Sequence, residues 1–279
     1  GVSAIALGAA LMLGGEAQAQ SNVEANLVNT ADPGGNDIPI QLFAPVGDFS
    51  LTASTAPGFG INTSNTSSPA ISLYSFSGDY GDVNLIDENN SNILGGPVGI
   101  YGRTDGEGSI SISVSGIVAG TEAGVLVTTG EGAGELEEAW EEDFAEPFIL
   151  IGGEPTGDLY VSVQNADGTA QAAGYFAGIS GYQSGSGSLT IKADNATANS
   201  GNGVNAENTT GGGIEILVIN ASGQNNGIFA RNSYREDGPD HGGGFDLNFL
   251  TTPSEAAPNS ITISASGDVT SSDGYGIYA

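Results

Sequence analysis

Apolar residues recur at every second position along this chain, in short runs separated by polar, glycine-rich turns. The clearest runs are Phe49-Ser50-Leu51-Thr52, Ile71-Ser72-Leu73-Tyr74, Ile110-Ser111-Ile112-Ser113-Val114, Leu159-Tyr160-Val161-Ser162-Val163, Leu189-Thr190-Ile191, Ile214-Glu215-Ile216-Leu217-Val218 and Ile261-Thr262-Ile263. Alternation of this kind predicts strands with one buried face. A second, shorter pattern is a glycine, a residue that is β-branched in all but one copy, a larger or polar residue, and in most copies a small one. It occurs at Gly60-Ile61-Asn62-Thr63, Gly99-Ile100-Tyr101-Gly102, Gly124-Val125-Leu126-Val127, Gly174-Tyr175-Phe176-Ala177, Gly203-Val204-Asn205-Ala206, Gly227-Ile228-Phe229-Ala230 and Gly276-Ile277-Tyr278-Ala279. Side chains alternate across a strand, so the second and fourth positions are expected inside and the third outside. The glycine is expected to mark a corner whose backbone dihedrals other residues resist.

The pattern returns after 24 residues from Gly203 to Gly227 and after 25 from Gly99 to Gly124. A unit that short cannot bury its apolar face alone and must stack on its neighbours, which predicts one elongated solenoid. The structural alternative is an antiparallel two-sheet sandwich, which requires hairpins between consecutive strands. Three insertions break the period, at Ser77 to Pro97, Glu131 to Gly157 and Asn232 to Asn259. The last two both follow a copy of the glycine strand, so they are expected to leave one corner of the coil, three coils and roughly 14 Å apart. The second carries the one helical pattern, Leu136, Trp140 and Phe144 four residues apart, and a short helix over 135–146 is predicted before Pro147.

Val2 to Leu13 is apolar or small throughout, and Gly14-Gly15 and Ala17-Gln18-Ala19 follow it. This reads as part of a secretory signal peptide over residues 1–19, cleaved between Ala19 and Gln20. The run is too short to span a bilayer as a helix. Residues 20–47 read as a leader or an N-terminal cap, and the coils are expected to occupy 49–279.

The segments Ser260 to Ala279 and Ser188 to Ala206, taken with the signal peptide, resemble the passenger region of autotransporters, Gram-negative surface proteins built on a right-handed parallel β-helix. The resemblance covers residues 49–279. It implies an all-β, right-handed parallel β-helix of about seven coils, secreted across the inner membrane to the cell surface, outer membrane or medium. It also implies a C-terminal membrane barrel of many alternating strands, which does not occur within these residues. The chain stops inside a repeat at Ala279, so that barrel is expected beyond it.

Charge narrows the partners. The 279 residues carry 33 acidic side chains against four Lys and Arg, a formal net charge of −29. Nucleic acid and anionic lipid call for clustered cations, so neither is expected as a partner. The charge reads as colloidal protection of an exposed rod. Absence of cysteine removes disulfides and the usual zinc clusters.

Candidate chemistry is sparse. His241 is the only histidine and lies in a Gly/Pro/Asp segment beside Asp240, without the serine and separate carboxylate that a triad requires. Asp87 to Asn92 begins like a calcium loop, but Asn92 stands where glycine is needed and Val98 where glutamate is needed. Gly242 to Leu247 matches a calcium nonapeptide repeat only once, and Asp237, Asp240 and His241 form no better set. No metal ligand and no cofactor is therefore assigned, a structural calcium being the alternative. Glycoside hydrolysis needs two facing carboxylates. Glu215 has no evident acidic neighbour, Asp48, Asp158 and Asp268 sit at strand starts or turns, and Lys192 and Arg231 are isolated as lyase bases.

The expectation is a non-catalytic surface passenger that presents loops for adhesion or cell-cell contact. Its partner would be a ligand, protein or glycan, on a host or neighbouring cell. A secreted β-helix polysaccharide lyase or glycoside hydrolase is the alternative. Third-position residues Tyr101, Leu126, Phe176, Phe229 and Tyr278 are expected on one outward stripe, interrupted by Asn62 and Asn205. The aromatic members of that stripe, with Trp140 and Tyr234 from the insertions, are the contact candidates. The competing view is that such aromatics merely brace the sheet as cross-strand ladders.

Overall fold

The computed structural model describes residues 22–47, 49–75, 81–129, 156–209, 212–232 and 260–279. All regular structure among them is β, and every strand pairing is parallel. The antiparallel sandwich is thereby excluded. The proposed helix at 135–146 lies outside the described residues.

Each coil runs through three faces, A, B and C. Face A holds β1 (Val23–Leu27), β3 (Leu51–Thr55), β6 (Val83–Asp87), β9 (Ile110–Val114), β12 (Leu159–Val163), the first halves of β15 (Leu189–Ala198) and β17 (Ile214–Gly223), and β19 (Ile261–Ala265). Face B holds β4 (Gly60–Asn62), β7 (Asn92–Leu94), β10 (Ile117–Ala119), β13 (Gln171–Gly174), the second halves of β15 and β17, and β20 (Val269–Ser271). Because β15 and β17 run unbroken through the corner, faces A and B form one 13-stranded sheet. Face C is a separate eight-stranded sheet of β2 (Ile40–Phe43), β5 (Ile71–Ser75), β8 (Val98–Thr104), β11 (Ala123–Thr129), β14 (Ala177–Gln183), β16 (Asn202–Asn208), β18 (Asn226–Asn232) and β21 (Tyr275–Tyr278). This is a parallel β-helix, and its described strands make eight coils. Within residues 20–47, expected as a leader or an N-terminal cap, β1 and β2 extend the A and C ladders by one rung.

The interior is a set of vertical columns. On face C, Ile71, Ile100, Val125, Ile179, Val204, Ile228 and Ile277 stand in register, and all but Ile277 are fully buried. Face A contributes Leu85, Ile112, Val161, Ile191 and Ile216, and face B contributes Ile61, Ile93, Val118, Ala172, Ala196 and Ala221. Every rung therefore buries apolar area against the two beside it as well as across the coil.

Four expectations change. Gly60-Ile61 belongs to face B, where Ile61 pairs with Ile93, while Ile71 to Tyr74 belongs to face C. The stretch Ser77 to Pro97 contains β6 and β7 and is most of an ordinary coil. The fifth rung of face C is Gly178-Ile179-Ser180-Gly181, since Ile179 pairs with Val125 and Val204; Gly174-Tyr175-Phe176 lies before that strand. A β-branched side chain fits the inward slot that Ile100 and Val125 fill, whereas Tyr175 is turned out and exposed.

The fourth concerns the glycines. Among the described glycines, left-handed backbone occurs at Gly35, Gly47, Gly58 and Gly168, outside the repeated pattern. At Gly124 the reason is space: a Cβ would lie 2.7 Å from Ala173 N on face B and 2.7 Å from Gly178 O on the next rung. Gly99, Gly178, Gly203 and Gly227 have the same kind of neighbours. The glycine column lets face C start hard against face B.

Candidate functional site

The corner joining face C to the next face A carries the two longest connections between the described strands. Residues 130–155 follow β11 and residues 233–259 follow β18, three rungs apart, as their sequence context predicts. A polar column anchors this corner: Ser75, Thr104, Thr129, Gln183, Asn208 and Asn232 occupy one position on successive rungs. Ser75 Oγ donates to Gly81 O (2.9 Å), Thr104 Oγ1 to Gly108 O (2.6 Å), Gln183 Nε2 to Gly157 O (2.9 Å) and Asn232 Nδ2 to Gly212 O (3.0 Å). Thr129, where the 130–155 connection leaves, is instead tied to Ser184 of the following coil, whose Oγ donates to Thr129 O at 2.6 Å. The scaffold is pinned on both sides of each departure.

On the outside of face C the third-position column reads Ser72, Tyr101, Leu126, Ser180, Asn205, Phe229 and Tyr278. It differs from the expected stripe, because Asn62 lies on face B and Ser180 takes the place of Phe176. Tyr101 and Leu126 are only 1% and 2% exposed, so Tyr101 is removed from the contact candidates. They form a separate apolar cluster outside the coil with Val98, Ala123 and Ala177. Phe229 stacks on Tyr278 in register, with centroids 5.5 Å apart and planes 2° apart, and Phe43 stacks on Tyr74 at 5.3 Å. These pairs have the geometry of bracing ladders, although Tyr278 remains 52% exposed.

Phe176 is found at the B-to-C corner. With Tyr175 it forms an edge-to-face pair, centroids 4.8 Å apart and planes at 86°, with the two residues 45% and 49% exposed. One rung below lies Glu122, whose carbonyl accepts from Phe176 N (2.8 Å) and Ala177 N (3.2 Å). Its carboxylate Oε2 is shut off from solvent and has no hydrogen-bond partner. Burial pushes this carboxyl above its ordinary value. Tyr175 and Glu122 were not singled out from the sequence as contacts. Glu122 is 54 positions from Phe176, and only the register joins them.

Of the carboxylates weighed for catalysis, Asp158 is tied into the scaffold and Glu215 stands on the surface. Glu215 lies between Thr190 and Thr262 on the outside of face A. Asp158 Oδ1 accepts from Ser188 N (2.7 Å) and Oγ (2.8 Å), in a column where Asp82 accepts from Ser109 N in the same way. Asp87 is buried, and its two oxygens accept from the Thr55 and Ser91 hydroxyls and the Asn89 and Ser91 amides. Lys192 Nζ lies 5.4 Å from the centre of the Tyr160 ring, and Arg103 pairs with Asp105 at 2.9 Å. Among the described residues no three His, Cys, Asp or Glu side chains gather as metal ligands would. Ala19, Gln20, Asp48, Trp140, Tyr234, Asp237, Asp240 and His241 lie outside the described residues.

The class this geometry defines is the parallel β-helix solenoid. No family model, curated protein or solved structure matches the chain.

Proposed function

We propose that this chain is a non-catalytic, surface-displayed passenger region of the autotransporter kind, which uses a rigid rod to present loops for adhesion or cell-cell contact. The observation that carries the reading is that its two long connections leave by the same corner of the coil stack, three rungs apart, with pinned backbone around them. Loops held by a rigid scaffold are where binding residues concentrate. The partner is a protein or glycan on an opposing cell, and attachment to the outer membrane would come from a barrel beyond this sequence.

The test coats beads with the full chain and counts their attachment to cells. Two variants accompany it: one with 131–155 and 233–259 replaced by short Gly-Ser linkers, and one with Trp140→Ala and Tyr234→Ala, which leaves the connections in place. Attachment that falls in both variants is the expected result. Undiminished attachment by both, or release of reducing or unsaturated ends from polysaccharides by the full chain, overturns it and favours the lyase or hydrolase alternative.

A further inference from the structure

We propose that the ridge formed by Glu122, Tyr175 and Phe176 binds a guanidinium group, presented as an arginine side chain of a partner protein or peptide. The inference rests on the reading of the rod as a contact surface, and it names a site away from the loop corner. Tyr175 and Phe176 are adjacent on a turn, mutually edge-to-face and about half exposed, so each offers ring surface to a ligand. The register sets Phe176 directly over Glu122, with both Phe176 N and Ala177 N on the Glu122 carbonyl.

One carboxylate oxygen of Glu122 is screened from water and unpartnered. A carboxylate so placed is costly, and a guanidinium meets it through its other oxygen, since Glu122 as a residue is only half-buried. Among the described residues no donor reaches it: Arg103 is committed to Asp105, Lys192 lies against Tyr160 and Arg231 stands on β18, three rungs further on. Guanidinium is planar, so it can lie on an aromatic face while its N–H fork meets a carboxylate; a compact ammonium does the two together less well. The net charge of −29 attracts a cationic partner and has no such effect on a neutral sugar.

The experiment measures fluorescence anisotropy of labelled hexa-arginine with the full chain at one fixed salt concentration near physiological. The variants are Tyr175→Ala with Phe176→Ala, Glu122→Gln, and, as a charge control on the first coil, Glu24→Gln; circular dichroism checks that each keeps its β signal. The double variant is expected to weaken binding about tenfold and Glu122→Gln about threefold, with Glu24→Gln unchanged and hexa-lysine weaker than hexa-arginine. Equal affinity for the double variant and the unaltered chain would reduce the interaction to diffuse charge and overturn the site. Ring-dependent binding of maltohexaose in place of hexa-arginine would overturn it too, in favour of a glycan. If hexa-arginine binds as expected while the coated beads fail to attach to cells, the adhesive function falls and this site stands.

Discussion

Asp87 shows how this interior tolerates a carboxylate. It is buried at the turn from face A to face B, and four protein donors converge on its two oxygens. Asp87→Ala would strand the Thr55 and Ser91 hydroxyls, and a loss of about 1–3 kcal/mol in unfolding free energy is expected, measured by urea denaturation. Glu122 is the opposite case, an oxygen without a donor. Its proton is held more tightly in the folded chain than in the unfolded one, so ionisation costs stability as pH rises from about 4.5 through the raised value. Glu122→Gln should therefore melt higher than the unaltered chain at pH 7 and level with it near pH 4. A difference independent of pH would contradict this. Asp32 has the reverse sign: the Gly34 amide lowers its pKa, so its contribution is present above about 3.8 and fades as pH falls below that value.

Between elements, the contact of face C with face B depends on the glycine column. Gly124→Ala pushes a methyl carbon into backbone on two sides and should cost about 1–3 kcal/mol, whereas Gly213→Ala meets nothing nearer than Ser260 Oγ at 3.5 Å and should be neutral or slightly stabilising. Neither glycine is in the left-handed region, so thermal melts of the two variants test whether close approach alone accounts for the repeated glycine. The same elements show what the pattern of residues could and could not convey. Strands of five residues with strict alternation, such as Ile110 to Val114, were plain because alternation needs length to register. Face B was missed because β4, β7 and β10 have three residues each, too few to display a period. Gly174-Tyr175-Phe176 imitated the motif in composition, yet the inward slot selected Ile179, and this moved Phe176 to the corner where it meets Glu122.

For the molecule as a whole, the solenoid was legible because the 24 and 25 residue intervals admit only stacked units. The contact ridge was not, because it depends on which rung lies over which. Stacking also predicts graded stability. Each coil is supported by its neighbours alone, and within these 279 residues the coil of Ile277 has a neighbour on one side only, so that Ile277 is 47% exposed where its equivalents on earlier rungs are buried. Hydrogen exchange followed by mass spectrometry should find the amides of β19 to β21 exchanging well ahead of those of β14 and β16. Uniform protection along the stack would mean that the coils unfold as one unit.

Gln183 and Asn208 stand at one and the same position on successive rungs. Excision of residues 184–208 would thus join two equivalent points and leave a shorter rod of unchanged cross-section. Each such step amounts to ~4.8 Å. A gene that gains or loses whole turns in this way has a ruler for setting how far its product reaches, with no need to redesign the interior.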